Sequence, residues 1–162
     1  MRISSEFGLA RQPQRATGMA IRRYWEFDAW KLGDALRREV FRLLKASPDA
    51  RRDQRFRSQL VESARGPCKH IAEGFLRNSP AMLITYLNYA AGSLGETEDH
   101  LRDGIFLDYF AAEDCLEAFA LANRCLSACI KLKHSQERYR DSQRRRQPSG
   151  PREEPDAESA DG

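Results

Sequence analysis

The chain has 162 residues with 27 Lys/Arg, 24 Asp/Glu, three His and four Cys, for a formal charge of +3. That length suits one domain, and four cysteines without CxxC spacing exclude a disulfide scaffold and point to a reducing cytoplasm. There is no continuous apolar run for a membrane span or a signal peptide, which argues against a membrane protein.

Residues 1–23 carry Arg2, Arg11, Arg15, Arg22 and Arg23 against Glu6, with few large apolar residues, and read as a disordered extension. Met19 is an alternative start to Met1. The first helix is expected from Asp28, a candidate N-cap, to Ala46, with Trp30, Leu36, Val40 and Leu43/Leu44 at helical spacing. Ser47-Pro48-Asp49 stops it. A second helix spans Gln54 to Arg77, with a stripe of Phe56, Leu60, Ala64, Cys68, Ile71 and Phe75. Gly66-Pro67 inside that stripe predicts a kink.

Asn78-Ser79-Pro80 restarts the chain, with Ser79 as N-cap and Pro80 at the first helical position. The third helix carries Leu83, Leu87, Ala90, Leu94, Leu101 and Ile105 and ends near Leu107-Asp108. A fourth starts near Ala112, helped by Glu113 and Asp114, and buries Leu116, Phe119, Cys125/Leu126, Cys129/Ile130 and Leu132. Cys125 and Cys129, four residues apart, serve as small buried apolar groups. No alternating strand pattern is visible. Residues 135–162, a basic block followed by a Pro/Ser/Glu/Asp block, read as a disordered tail. The expectation is an all-α protein: an antiparallel up-down four-helix bundle over 24–134 between disordered tails at 1–23 and 135–162.

Charge divides the bundle. Residues 37–77 hold eleven Lys/Arg against five Asp/Glu, a net +6, and residues 78–134 hold four against eight, a net −4. Arg37, Arg38, Arg42, Lys45, Arg51, Arg52, Arg55 and Arg57 are the candidate surface for nucleic acid or an acidic partner, with the acidic half available for self-assembly. The bland alternative is a pair of solvated helix faces.

His70, Glu73, Gly74 and Arg77 fall at i, i+3, i+4 and i+7, one row of a helix. With Glu96 and His100 they raise the alternative of a metal-binding bundle enzyme. Ferritin-type sites, however, use Glu-x-x-His on two helices and a Glu on each of the others. Here the second pair has Thr97 in the Glu place, and Asp34, Glu39 and Glu117 lie off the apolar stripes. Ser93 and the cysteines lack a nucleophile's context. No cofactor is expected, and Gly74, Gly92 and Gly95 suggest close helix approach. The row reads as a structural seam of His70, Glu73, Gly74, Arg77, Ser93 and Glu96, with Glu73 paired to Arg77 or to a polar group on the third helix.

"HIAEGFLRNSP" (70–80), followed by "YLNYAAGSLGETEDHLRDG" (86–104) and preceded by "FDAWKLGDAL" (27–36), resembles the family of 23S rRNA intervening-sequence proteins. The resemblance covers about Trp25 to Lys133. It departs at His70, where the family commonly has Asn. It implies an up-down bundle that often assembles as a homopentamer, with no known catalysis. One branch comprises accessory proteins of diversity-generating retroelements, which bind a reverse transcriptase and nucleic acid through a basic surface. The expectation is a non-catalytic, oligomeric accessory protein or adaptor, with no membrane partner.

Overall fold

The computed structural model describes residues 14–16 and 19–146. Five helices carry most of it: α1 (Asp28–Ala46), α2 (Pro48–Arg52), α3 (Gln54–Leu76), α4 (Pro80–Phe106) and α5 (Leu116–Arg146). A two-stranded antiparallel ribbon precedes them, β1 (Gln14–Ala16) against β2 (Met19–Ile21), with Arg15 opposite Ala20. The sequence pattern predicts no strand there, because two three-residue strands are too short to show alternation. The disorder expected for 1–13, 17–18 and 147–162 lies outside the described residues.

Helix α1 has the predicted limits, although Phe27, not Asp28, occupies the cap position. Phe27 is extended and buried, and its ring meets Phe75 of α3 edge-on at 5.6 Å. Ser47 does more than stop α1. Its hydroxyl accepts from the Ala50 N–H at 3.2 Å and opens α2, a five-residue helix that the sequence reading passes over. Asp53 in turn caps α3 by accepting from the Phe56 N–H at 2.9 Å. Helix α3 is continuous through Gly66-Pro67, so the proline does not end it. Ser79 precedes α4 as expected but makes no side-chain cap bond, leaving Pro80 at the first position to set the helix start. Asn78 and Asp108 close α3 and α4 with φ of 52° and 55°, the left-handed conformation that Asn and Asp tolerate best after glycine.

The stripes of α1, α3 and α4 are buried as their spacing predicts, except that Trp30 and Ile105 are half-buried. Helix α5 differs. Its buried row is Ala118, Leu121, Ala122, Cys125, Cys129, Leu132 and Gln136, while Leu116 and Ile130 are exposed. A 3₁₀ turn over Glu113–Cys115 precedes α5 and places Cys115, not Leu116, in the core. The helix also runs past the expected limit at His134 to Arg146. A wide, small-residue face on α5 lets α1 and α4 pack closely.

Among the long helices, α1 packs on α3 and α5, and α4 packs on α3 and α5. The core lies between these four. Among the described residues no helix is long and apolar enough to cross a membrane.

Candidate nucleic-acid interface

Single-residue connections at Ser47 and Asp53 force the end of α1, all of α2 and the start of α3 to one end of the molecule. Lys45, Arg51, Arg52, Arg55 and Arg57 are therefore gathered, while Arg37 and Arg38 sit at the middle of α1, and the eight candidate cations are not equivalent. Asp34, with its side chain only 13 % exposed, takes both Arg37 and Arg38, the latter at 2.8 Å. Burial alone would raise the Asp34 carboxyl. The hydrogen bond from Arg38 and the nearby charges of Arg37 and Arg38 outweigh it and hold the group below the usual carboxylate range. Arg42 grips both oxygens of Glu39 through Nε at 2.9 Å and also donates to the Asp114 carbonyl at 3.1 Å. Arg52 pairs with Asp49 at 2.9 Å, both side chains being well exposed. Arg57 donates to the Arg51 carbonyl at 3.1 Å. Among the described residues Lys45, Arg51, Arg55 and Arg57 make no ion pair with a carboxylate.

The connection from α4 to α5 folds against this same end. Tyr109 donates its hydroxyl to Asp53 at 3.0 Å, and the Phe56 ring meets Tyr109 edge-on at 5.1 Å and Phe110 at a tilt at 5.9 Å. Two hydrogen bonds, from the Phe56 N–H and from Tyr109, hold the Asp53 carboxyl low. Asp114 sits beside Arg42, so the acidic half reaches the basic cluster. Sequence reasoning missed Tyr109 and Asp114, since their sequence separation from their partners leaves no local spacing to read.

The row that begins at His70 lies elsewhere, where α3 meets α4. Glu73 faces His70, with Nδ1 and Oε2 3.5 Å apart, while Arg77 is exposed beyond it, so the predicted Glu73–Arg77 pair is replaced by a Glu73–His70 contact. Three residues on a helix brings the two as near as four does, and Arg77 lies past the last turn of α3. Gly74 does form a seam: a methyl there would come 2.7 Å from Tyr86 Cβ and 3.1 Å from Leu83 Cδ1. The closest approach, however, is one that the row does not contain. A Cβ at Gly66 would overlap Ser93 Oγ and Cβ, which gives Ser93 its structural role. Glu96 is exposed on α4. Gly92 and Gly95 face open space and mark no close approach.

The metal alternative finds no assembled ligand set. Among the described residues no three His, Cys, Asp or Glu side chains converge, and His100 sits by Asp103 at 4.0 Å. All four thiols are buried and free. Burial pushes Cys68 up to about 12 and Cys115 up to about 11, far from the reactive range.

What the geometry offers is a helical scaffold with an exposed cationic end and no assembled catalytic group among the described residues. No curated protein matches the chain. The family model described as 23S rRNA-intervening sequence protein matches residues 26–131, the whole of the helical core through Lys131, and the chain belongs to that family.

Proposed function

We propose that this protein is a non-catalytic, cytoplasmic adaptor that binds nucleic acid through the α1–α2–α3 end of an antiparallel up-down four-helix bundle. The observation that carries the reading is the gathering of Lys45, Arg51, Arg55 and Arg57 at one end, none of them in an ion pair with a carboxylate among the described residues. Arg52 joins them, because an exposed pair such as Arg52–Asp49 is worth at most about 1 kcal/mol and yields to a phosphate. No aromatic platform stands among these arginines, so binding reads the phosphate backbone and not the bases. Titration of random duplex and single strands at several salt concentrations tests this. Duplex binding should weaken steeply with salt and be lost when Arg51, Arg52 and Arg55 are replaced together by Ala. Absence of binding at low salt would refute it.

A protein-binding role, to copies of itself and to a partner such as a reverse transcriptase, is favoured by a second observation. Phe106 is 85 % exposed and Leu116 65 % exposed. Arg102 lies over the Phe119 ring at 5.2 Å, which brings Phe106, one turn on from Arg102, and Leu116, one turn before Phe119, to the same edge. Asp103 precedes Phe106 by three residues, and Glu113 and Glu117 flank Leu116 in sequence, all three exposed, and a neighbouring subunit's cationic end would complement them. Such a head-to-tail contact closes into a ring when its rotation permits, and five subunits fit the family resemblance. Light scattering should give an oligomer that Phe106→Ser disperses; a monomer at micromolar concentration and moderate salt would refute self-assembly.

A further inference from the structure

A groove of about 790 Å3 on the outer side of the α3–α4 pair is not used above. That volume is within the range of small-molecule sites. Its floor exists because Gly66 lets Ser93 come close, so the wall between the helices is mostly backbone and short side chains. At one end the rings of His70, Tyr86 and Tyr89 gather, His70 lying 5.7 Å from Tyr89, with Tyr89 53 % exposed. Lys69 stands exposed on the α3 rim beside them. Along α4, Tyr89, Gly92 and Glu96 form one row at i, i+3 and i+7. Gly92 puts no side chain between the aromatic ring and the carboxylate, and a Cβ added there would meet no atom within 4 Å.

These groups make three distinct demands on a ligand. An exposed tyrosine with an open space next to it accepts a flat ring. Lysine on the opposite rim accepts an anion, and Arg65 lies one turn away on the same helix, its guanidinium over the Phe41 ring at 5.6 Å. Glu96, with Glu62 across the groove, accepts hydrogen bonds from an amine and repels an anion from that end. A nucleotide whose base carries an exocyclic amine meets all three. We propose that the α3–α4 groove binds such a nucleotide unit, with the base stacked on Tyr89 over Gly92, the exocyclic amine on Glu96 and the phosphate on Lys69. This proposal does not rest on the cationic end, which reads backbone alone; the groove adds the aromatic platform that single-strand binding uses.

The test is titration of the full chain with AMP, UMP and an eight-residue deoxyadenosine strand, followed by calorimetry or by Tyr fluorescence. AMP should bind with a Kd on the order of 100 μM and UMP at least fivefold more weakly. An octamer that binds ten or more times tighter than AMP marks a single strand as the source of the nucleotide, and equal affinity marks the free nucleotide. Gly92→Leu is the decisive variant. It puts a bulky side chain into the groove at an exposed position where a Cβ meets nothing within 4 Å, and it improves helix propensity, so the melting temperature should hold or rise while AMP affinity falls more than tenfold. Tyr89→Ala should weaken binding by about tenfold. The Arg51, Arg52 and Arg55 triple replacement should leave AMP binding unchanged, and Gly92→Leu should leave duplex binding unchanged, so the two sites fail separately. No AMP binding, equal affinity for UMP, or wild-type affinity in Gly92→Leu would overturn the proposal.

Discussion

Replacing Gly66 by Ala adds one methyl at the closest point between α3 and α4. That methyl overlaps Ser93 Oγ and Cβ. A serine has no flexible far end to swing away, so either the helices part or the α4 backbone shifts. Overpacking of this kind costs about 1–3 kcal/mol, while exchanging glycine for alanine inside a helix returns about 1 kcal/mol. The expected net is a loss of up to about 2 kcal/mol, or up to roughly 8 °C in Tm for a fold of this size. Gly92→Ala is the same chemical change on α4, but its methyl meets nothing within 4 Å. Only the propensity remains, and the variant should gain about 0.5–1 kcal/mol. Urea melts of both variants at one protein concentration should move in opposite directions. Adding Ser93→Gly to Gly66→Ala removes the colliding atoms and should recover part of the loss, a coupling expected only of residues in contact. If Gly66→Ala raised the midpoint as Gly92→Ala does, the close approach of α3 and α4 would be wrong.

Asp34→Asn should flatten the acid limb of the stability profile. The folded Asp34 carboxyl lies below its ordinary 3.8, so its contribution is whole above that pH and drains away as pH falls through the lower folded value. Melts taken between pH 5 and pH 2 check this, and an unchanged acid limb would show that Arg37 and Arg38 do not hold the group. Glu73→Ala should cost no more than about 0.5 kcal/mol, since Glu73 is 43 % exposed and Arg77 does not depend on it; a loss of 2 kcal/mol in a urea melt would restore the Glu73–Arg77 seam. The four buried thiols should resist a thiol reagent at pH 8 in native protein and all react in denaturant. Rapid native labelling of Cys125 or Cys129 would show that the α5 face is open.

Helices α1, α3 and α4 were legible because their apolar residues are large and their ends carry strong local signals, such as Pro80 at the start of α4. Helix α5 was legible in existence but not in register. The sequence pattern favours large side chains, so it selects Leu116 and Ile130, whereas the packed row uses Ala118 and Ala122, both fully buried. Small residues give a weak periodic signal and yet decide where a neighbouring helix can lie. Loss of large apolar residues after Leu132 also made the helix seem to end at His134. Gln136, 1 % exposed, shows that the packed face continues beyond it.

The cationic end was legible as composition, and part of its pairing follows from spacing alone. Asp34 precedes Arg37 and Arg38, Glu39 precedes Arg42, and Asp49 precedes Arg52, each by three or four residues and each in the favourable acid-first order. The tie from Arg42 to the Asp114 carbonyl is tertiary and has no local trace. This difference can be measured. Each phosphate neutralised on duplex changes the log–log salt slope by about −0.9. If all eight candidate cations engaged phosphates, the slope would approach about −7 per subunit in contact. With Arg37, Arg38 and Arg42 held by Asp34 and Glu39, only Lys45, Arg51, Arg52, Arg55 and Arg57 remain, and the slope should be about −4.5. Asp34→Asn releases Arg37 and Arg38 from their carboxylate without touching the five, and should steepen the slope by up to about −1.8. A wild-type slope near −7, unmoved by that change, would mean that the intramolecular pairs do not restrain these arginines and that the carboxylates play no part in setting the affinity.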